Sequence, residues 1–157
     1  MSSRKHIFIK RVACLATLLI FLLSCTGGDD DGRRLGEIIV GTWQRGWSAG
    51  DVVIDGETDL SPENFSYDRF VFHDDGTYNG MMRKGTFEVR DVNGEVVFEG
   101  NYQCDNHNLK LESGEGGGSR QAILAQVLSF TDDTIQLQYV NESYHVTVSL
   151  IIRKLPD

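Results

Sequence analysis

Downstream of Leu35 the chain repeats one pattern, short segments with β-branched and aromatic residues at alternate positions, each closed by Gly, Asn or Asp. Period-two alternation between turn residues predicts strands with one buried face. The first predicted strand runs from Ile38 to Trp47, with Ile39, Gly41, Trp43, Arg45 and Trp47 on one parity, and the long segment Ser48 to Asn64 follows. Tyr67 to His73 places Phe70 and Phe72 on one face, and Asp74-Asp75-Gly76 turns it into a strand from Thr77 to Arg83. Gly85 to Asp91 aligns Phe87 with Val89, and Asn93-Gly94 predicts a type I′ hairpin turn, whose central residues both need positive φ.

Glu95 to Cys104 and His107 to Glu112 continue the pattern before the Gly-rich loop Ser113 to Ser119. Ala122 to Phe130 fits two periods, because Ile123, Leu124, Val127 and Leu128 also form a helical stripe; its β-rich surroundings favour a strand. Thr134 to Val140 aligns Ile135, Leu137 and Tyr139, and Tyr144 to Arg153 aligns Tyr144, Val146, Val148, Leu150 and Ile152. About eight or nine strands joined by short turns predict an all-β domain, a small antiparallel up-and-down barrel over residues 35–157 that leaves no exposed edge.

The N-terminus follows different rules. Arg4, Lys5, Lys10 and Arg11 precede a twelve-residue apolar run from Val12 to Leu23, and Ser24-Cys25 ends it. A membrane span needs about 20 apolar residues, so the run predicts a cleaved signal peptide over residues 1–24. Leu22-Leu23-Ser24-Cys25 resembles the bacterial lipobox, which implies that Cys25 is lipidated and tethers the protein to a membrane through acyl chains. Residues 25–34, rich in Gly, Asp and Arg, read as a flexible acidic tether. Thr26 replaces the Asp of the best-known inner-membrane retention signal, and Asp29-Asp30-Asp31 resembles acidic tracts that send lipoproteins to the cell surface. The expected location is the outer membrane of a bacterial envelope, with surface exposure a further expectation.

Charge and cysteine usage narrow the partners. After Cys25 there remain eleven basic and twenty-three acidic residues, a formal charge of −12 that repels nucleic acid. Cys14 leaves with the signal and Cys25 carries lipid, so Cys104 has no partner for an intramolecular disulfide. It shares the apolar parity of Val96, Phe98 and Tyr102, which predicts a buried, inert thiol.

At Gly41-Thr42-Trp43 the chain resembles the lipocalin-like domains of bacterial lipoproteins, within the calycin barrels, over roughly Leu35 to Leu155. The resemblance implies that Gly41 and Trp43 close one barrel end and that Arg153 packs across the indole. Phe70 to Tyr78 looks like the second hairpin of that group, and Thr131-Asp132 half matches a further turn motif.

Chemistry-bearing clusters are scarce. His73, His107 and His145 lack zinc-ligand spacing, Asp51, Asp55, Glu57 and Asp59 depart from the EF-hand pattern, and no nucleophile elbow or P-loop appears. No enzymatic activity and no cofactor are expected. Two functions remain open. In the first, the barrel binds a small apolar or amphipathic ligand among Phe70, Phe72, Tyr78, Met82, Phe87 and Phe98. In the second, a filled barrel acts as a protein-interaction module, an accessory subunit or inhibitor of an envelope protein. An apolar cavity of about 300 Å³ or more would favour the ligand. In the lipocalins the first loop covers the barrel mouth, which implies a lid here, with Val52, Val53, Ile54 and Leu60 facing the mouth and Asp51, Asp55, Glu57 and Asp59 facing water; a plain surface loop is the alternative.

Overall fold

The computed structural model describes residues 32–46, 50–55, 67–113, 121–142 and 145–156. The signal segment, Cys25, most of the tether, Trp47, most of the long first loop, the Gly-rich loop and Tyr144 lie outside the described residues. Among those described, no helix is long and apolar enough to cross a membrane.

The domain opens with one helical turn rather than a strand. In α1 (Leu35–Ile38) the Ile39 N–H donates to the Leu35 carbonyl at 2.9 Å. Leu35, Ile38 and Ile39 recur at three- and four-residue spacing, and all three are buried. Helical periodicity therefore overrides the strand expected from Ile38.

Ten strands follow among the described residues: β1 (Gly41–Arg45), β2 (Val52–Asp55), β3 (Arg69–Phe72), β4 (Thr77–Tyr78), β5 (Arg83–Arg90), β6 (Val96–Cys104), β7 (Asn108–Ser113), β8 (Ala122–Phe130), β9 (Thr134–Asn141) and β10 (Val146–Lys154). All pairings are antiparallel in the order β1-β3-β5-β6-β7-β8-β9-β10, and a β1–β10 pairing closes this eight-strand ring. The all-β antiparallel barrel read from the sequence is the observed fold.

The two strands outside the ring are continuations of others. β1 and β2 lie along the same edge of β10: Arg45 pairs with Ile152 and Val52 with Leu150, so the chain inserts five extra residues between them. β3 and β4 share one edge of β5 in the same way, Phe72 opposite Phe87 and Thr77 opposite Lys84, with two residues extra. Asp74-Asp75-Gly76 is thus a bulge and not the hairpin turn, and Thr77 to Arg83 is not one strand. The reversal comes at Asn79-Gly80, where the Asn79 side chain accepts the N–H groups of Met81 and Met82 at 3.1 and 2.8 Å.

Asn93-Gly94 does make a hairpin, by different geometry. Gly94 alone in that turn has positive φ, at 85°. Asp91 N–H donates to the Glu95 carbonyl, and the register shifts before Arg90. The loop is a type I turn closed by a left-handed glycine, one residue longer than a type I′ turn.

Ala122 to Phe130 is a strand, and the residues of its helical stripe divide between its two faces: Val127 is buried, while Leu124 and Leu128 are exposed. The register slips between Val127 and Ser129, so the inward set becomes Ala125, Val127 and then Phe130, which pairs with the buried Ile135. A bulge reproduces a three-residue spacing inside a period-two element.

Candidate functional site

The closed end of the barrel is built around Trp43. Its indole is fully buried and donates to the Ile39 carbonyl at 2.6 Å. Lys154, opposite Trp43 in the β1–β10 register, sets its ammonium 5.4 Å from the ring centroid and donates to the Ile38 carbonyl at 2.8 Å. The cation over the indole is therefore Lys154 and not Arg153. Val146, Val148, Leu150 and Ile152 alternate inward along β10, which sends Lys154 in and Arg153 out. Arg153 instead makes a two-bond ion pair with the buried Asp51 on the outside of the wall, at 2.9 and 3.0 Å. Gly46 underlies this pair, since a Cβ there would collide with both the Arg153 guanidinium and the Asp51 carboxylate.

An aromatic layer sits on this floor. Phe72 meets Tyr102 edge-on at 5.1 Å and Phe87 at 6.4 Å, and Phe87 leans on Phe98 at 5.4 Å. Tyr102 donates to the His73 carbonyl at 3.1 Å, and burial pushes its phenol up to about 12. Cys104 is buried nearby, its thiol likewise raised to about 12 by desolvation, which keeps it protonated and unreactive.

Above the layer the barrel is hollow. A cavity of about 190 Å³ lies among Phe70, Val89, Phe98, Leu109, Leu111, Ile123, Ala125, Leu137, Val148 and Leu150, with Arg45, Tyr67, Gln121 and Tyr139 as its polar groups. Gln121 and a further wall residue, Val97, are exposed, so the cavity reaches solvent at the end opposite Trp43.

Of the residues selected from the sequence, Phe70 and Phe98 line the cavity. Phe72 and Phe87 are packed beneath it, because both lie toward the closed end, where the layer is filled. Tyr78 and Met82 lie elsewhere. The Tyr78 ring packs on Gly36 of α1, donates to Glu37 at 3.1 Å and lies under the Arg83 guanidinium at 4.9 Å. Met82 stands in the Asn79 turn. The misplaced turn explains both, since a true strand from Thr77 to Arg83 would have carried them along the wall.

The lid reading also changes. Val52 to Asp55 is a strand, so successive side chains alternate: Val52 lines the cavity while Val53 is 48% exposed. Asp51 faces Arg153 instead of water. Leu60, Glu57 and Asp59 lie outside the described residues.

Sequence reasoning placed Arg45 on the Trp43 parity without giving it a role. It is 3% exposed and forms part of the cavity wall. Burial lowers its pKa, and the Asp68 carboxylate works in the opposite direction. Asp68 is itself buried, accepts from Gln44 at 3.3 Å and pairs with Arg69 at 3.2 Å. Tyr139, whose phenol burial holds near 12, is a neutral donor in the same wall. No group of three His, Cys, Asp or Glu side chains arranged for a metal occurs among the described residues.

A closed eight-strand barrel with a tryptophan floor and an apolar cavity open at the other end is a family trait as well as a geometry, and the lipocalin-like domain model matches residues 39–137. The chain belongs to the lipocalin-like domain family. Comparison with curated proteins returned no match. The lipocalin-like match ends before β10, yet β10 supplies Lys154 to the floor and Val148 and Leu150 to the cavity.

Proposed function

We propose that this lipocalin-like protein is a lipid-anchored envelope lipoprotein whose barrel holds one small apolar or amphipathic molecule. The cavity above the aromatic layer carries the reading. Its volume of about 190 Å³ is below the 300 Å³ typical of drug-sized ligands. It exceeds the ~150 Å³ that suffices for one benzene ring in a dry apolar cavity. The ligand class is thereby narrowed to a single ring or a short chain. Lipocalin-like domains are generally binding folds, which supports binding over catalysis.

Titration with 1-octanol by isothermal calorimetry tests this: saturable one-to-one binding is expected, and its absence rejects the reading. The anchor rests on the apolar run and Ser24-Cys25. Cys25→Ala should abolish lipid labelling and release the protein from membranes; firm association of that variant would refute the anchor.

The protein-interaction reading has one observation of its own. Leu124 and Val140, 64% and 63% exposed, border one shallow groove on the outer wall with His107, Gln126 and Thr147.

A further inference from the structure

The outside of the barrel wall is divided by charge. Outward positions of β5, β6 and β7 carry Lys84, Glu88, Arg90, Glu99, Lys110 and Glu112, of which Glu88 pairs with Arg90 at 2.5 Å and Lys110 with Glu112 at 2.8 Å. Across β8, β9, β10 and β2 the character changes. Between Asp55 at one end and Arg153 at the other, the described outward positions are apolar, amide or hydroxyl side chains, and none is charged. Val53, Leu124, Leu128 and Val140 stand here, four of the nine large apolar side chains exposed among the described residues, so the apolar surface is gathered on the uncharged half.

We infer that this uncharged wall is where a second copy of the chain docks, face to face about a two-fold axis. The inference rests on the protein-interaction reading and not on the cavity. Charge selects the occupant: at a formal −8 the chain repels its own copy, and two copies approach at least cost through a face without charge. Chemistry agrees, because each amide and hydroxyl both donates and accepts, so a face built of them complements itself when rotated onto itself. The register lays Gln126, Gln138, Ser149 and Val53 in one row across the four strands. Gln138 donates to the Ser149 hydroxyl at 3.2 Å, and the Ser129 hydroxyl to Gln136 at 3.3 Å, so part of the row is already ordered before a partner arrives. Four strands about 4.8 Å apart, each about eight residues long, present roughly 500 Å² per copy. Two such faces bury about 1,000 Å², the lower bound of a specific interface, so the dimer is weak and exchanging.

Sedimentation velocity of the full chain in a nonionic detergent, from about 1 to 300 μM, tests this. A monomer–dimer equilibrium is expected, and it should tighten as salt is raised, since screening removes the repulsion between the two acidic copies. Val140→Glu sets two like charges into a two-fold interface and should weaken the dimer about tenfold or more. Leu124→Glu is the second variant should that one fail to fold, and Glu99→Gln on the charged half should leave the dimer unchanged. A dimer that ignores both wall substitutions, or that weakens with salt, overturns the inference. A monomer at every concentration also overturns it. If that monomer copurifies with a different protein that Val140→Glu releases, the interaction reading stands with another occupant; without one, both fail.

Discussion

Asp51 and Arg153, 102 positions apart in sequence, are joined by two hydrogen bonds of 3.0 and 2.9 Å. Trp43 and Lys154 are joined one residue further along β10, on the opposite face of the wall. The two pairs should therefore behave as separate energetic units. Double-mutant cycles should show coupling within Asp51–Arg153 and within Trp43–Lys154, and near-additivity, within about 0.5 kcal/mol, for Trp43 with Arg153. Coupling of Trp43 to Arg153 instead would restore the family's arginine closure.

Trp43→Ala should be the most damaging of these changes, about 3–5 kcal/mol by chemical denaturation, because it empties the barrel floor and strands the Ile39 carbonyl. Gly46→Ala should also destabilise, since its methyl meets both Asp51 and Arg153. A wild-type melting curve for either variant would contradict the packing described.

Deleting residues 50–60 should lower the melting temperature and broaden the transition. The deletion removes β2, which pairs with β10 from Thr147↔Asp55 to Leu150↔Val52, and takes Asp51 from Arg153. A surface loop would be lost at almost no cost.

Three carboxylates, one in a bulge and two in turns, make acid stability predictable in sign. Asp75 is held below the usual carboxylate range by the Thr86 hydroxyl and N–H, Asp91 by the Glu95 and Asn93 N–H groups, and Asp133 by the Thr131 and Thr134 hydroxyls. Each folded-state pKa is depressed, so stability is present above the unfolded value of about 4 and is lost as pH falls through the folded values. Asp91→Asn should flatten that loss in an acid titration followed by circular dichroism; an unchanged slope would remove Asp91 from the account.

Strand parity was legible because one face of each strand is buried. Trp43 with Arg45, Phe87 with Val89, and Val146 through Ile152 all point inward as their spacing requires. Bulges were not legible, because an inserted residue costs little and leaves no composition mark. At Asp74-Asp75-Gly76 the turn-like residues serve a bulge, while Asn79-Gly80, an equally plain signal, makes the turn. The Lys154 contact was readable in principle, since the inward series ending at Ile152 reaches Lys154 next; the family's arginine pointed one residue away. Phe70 and Phe98 were separable from Phe72 and Phe87 only by their height in the barrel, which depends on the register that pairs Trp43 with Phe70, Phe70 with Val89 and Val89 with Phe98.

Ala125 offers the most direct test of a ligand inside the barrel. It is 3% exposed on the cavity wall, and Ala125→Phe would fill much of the 190 Å³ at a packing cost of about 1–3 kcal/mol. Calorimetric titration of the wild type and this variant with 1-octanol, each checked for a cooperative melt, should give saturable one-to-one binding by the wild type and none by the folded variant. Equal binding by both would place the ligand outside the barrel and contradict the account.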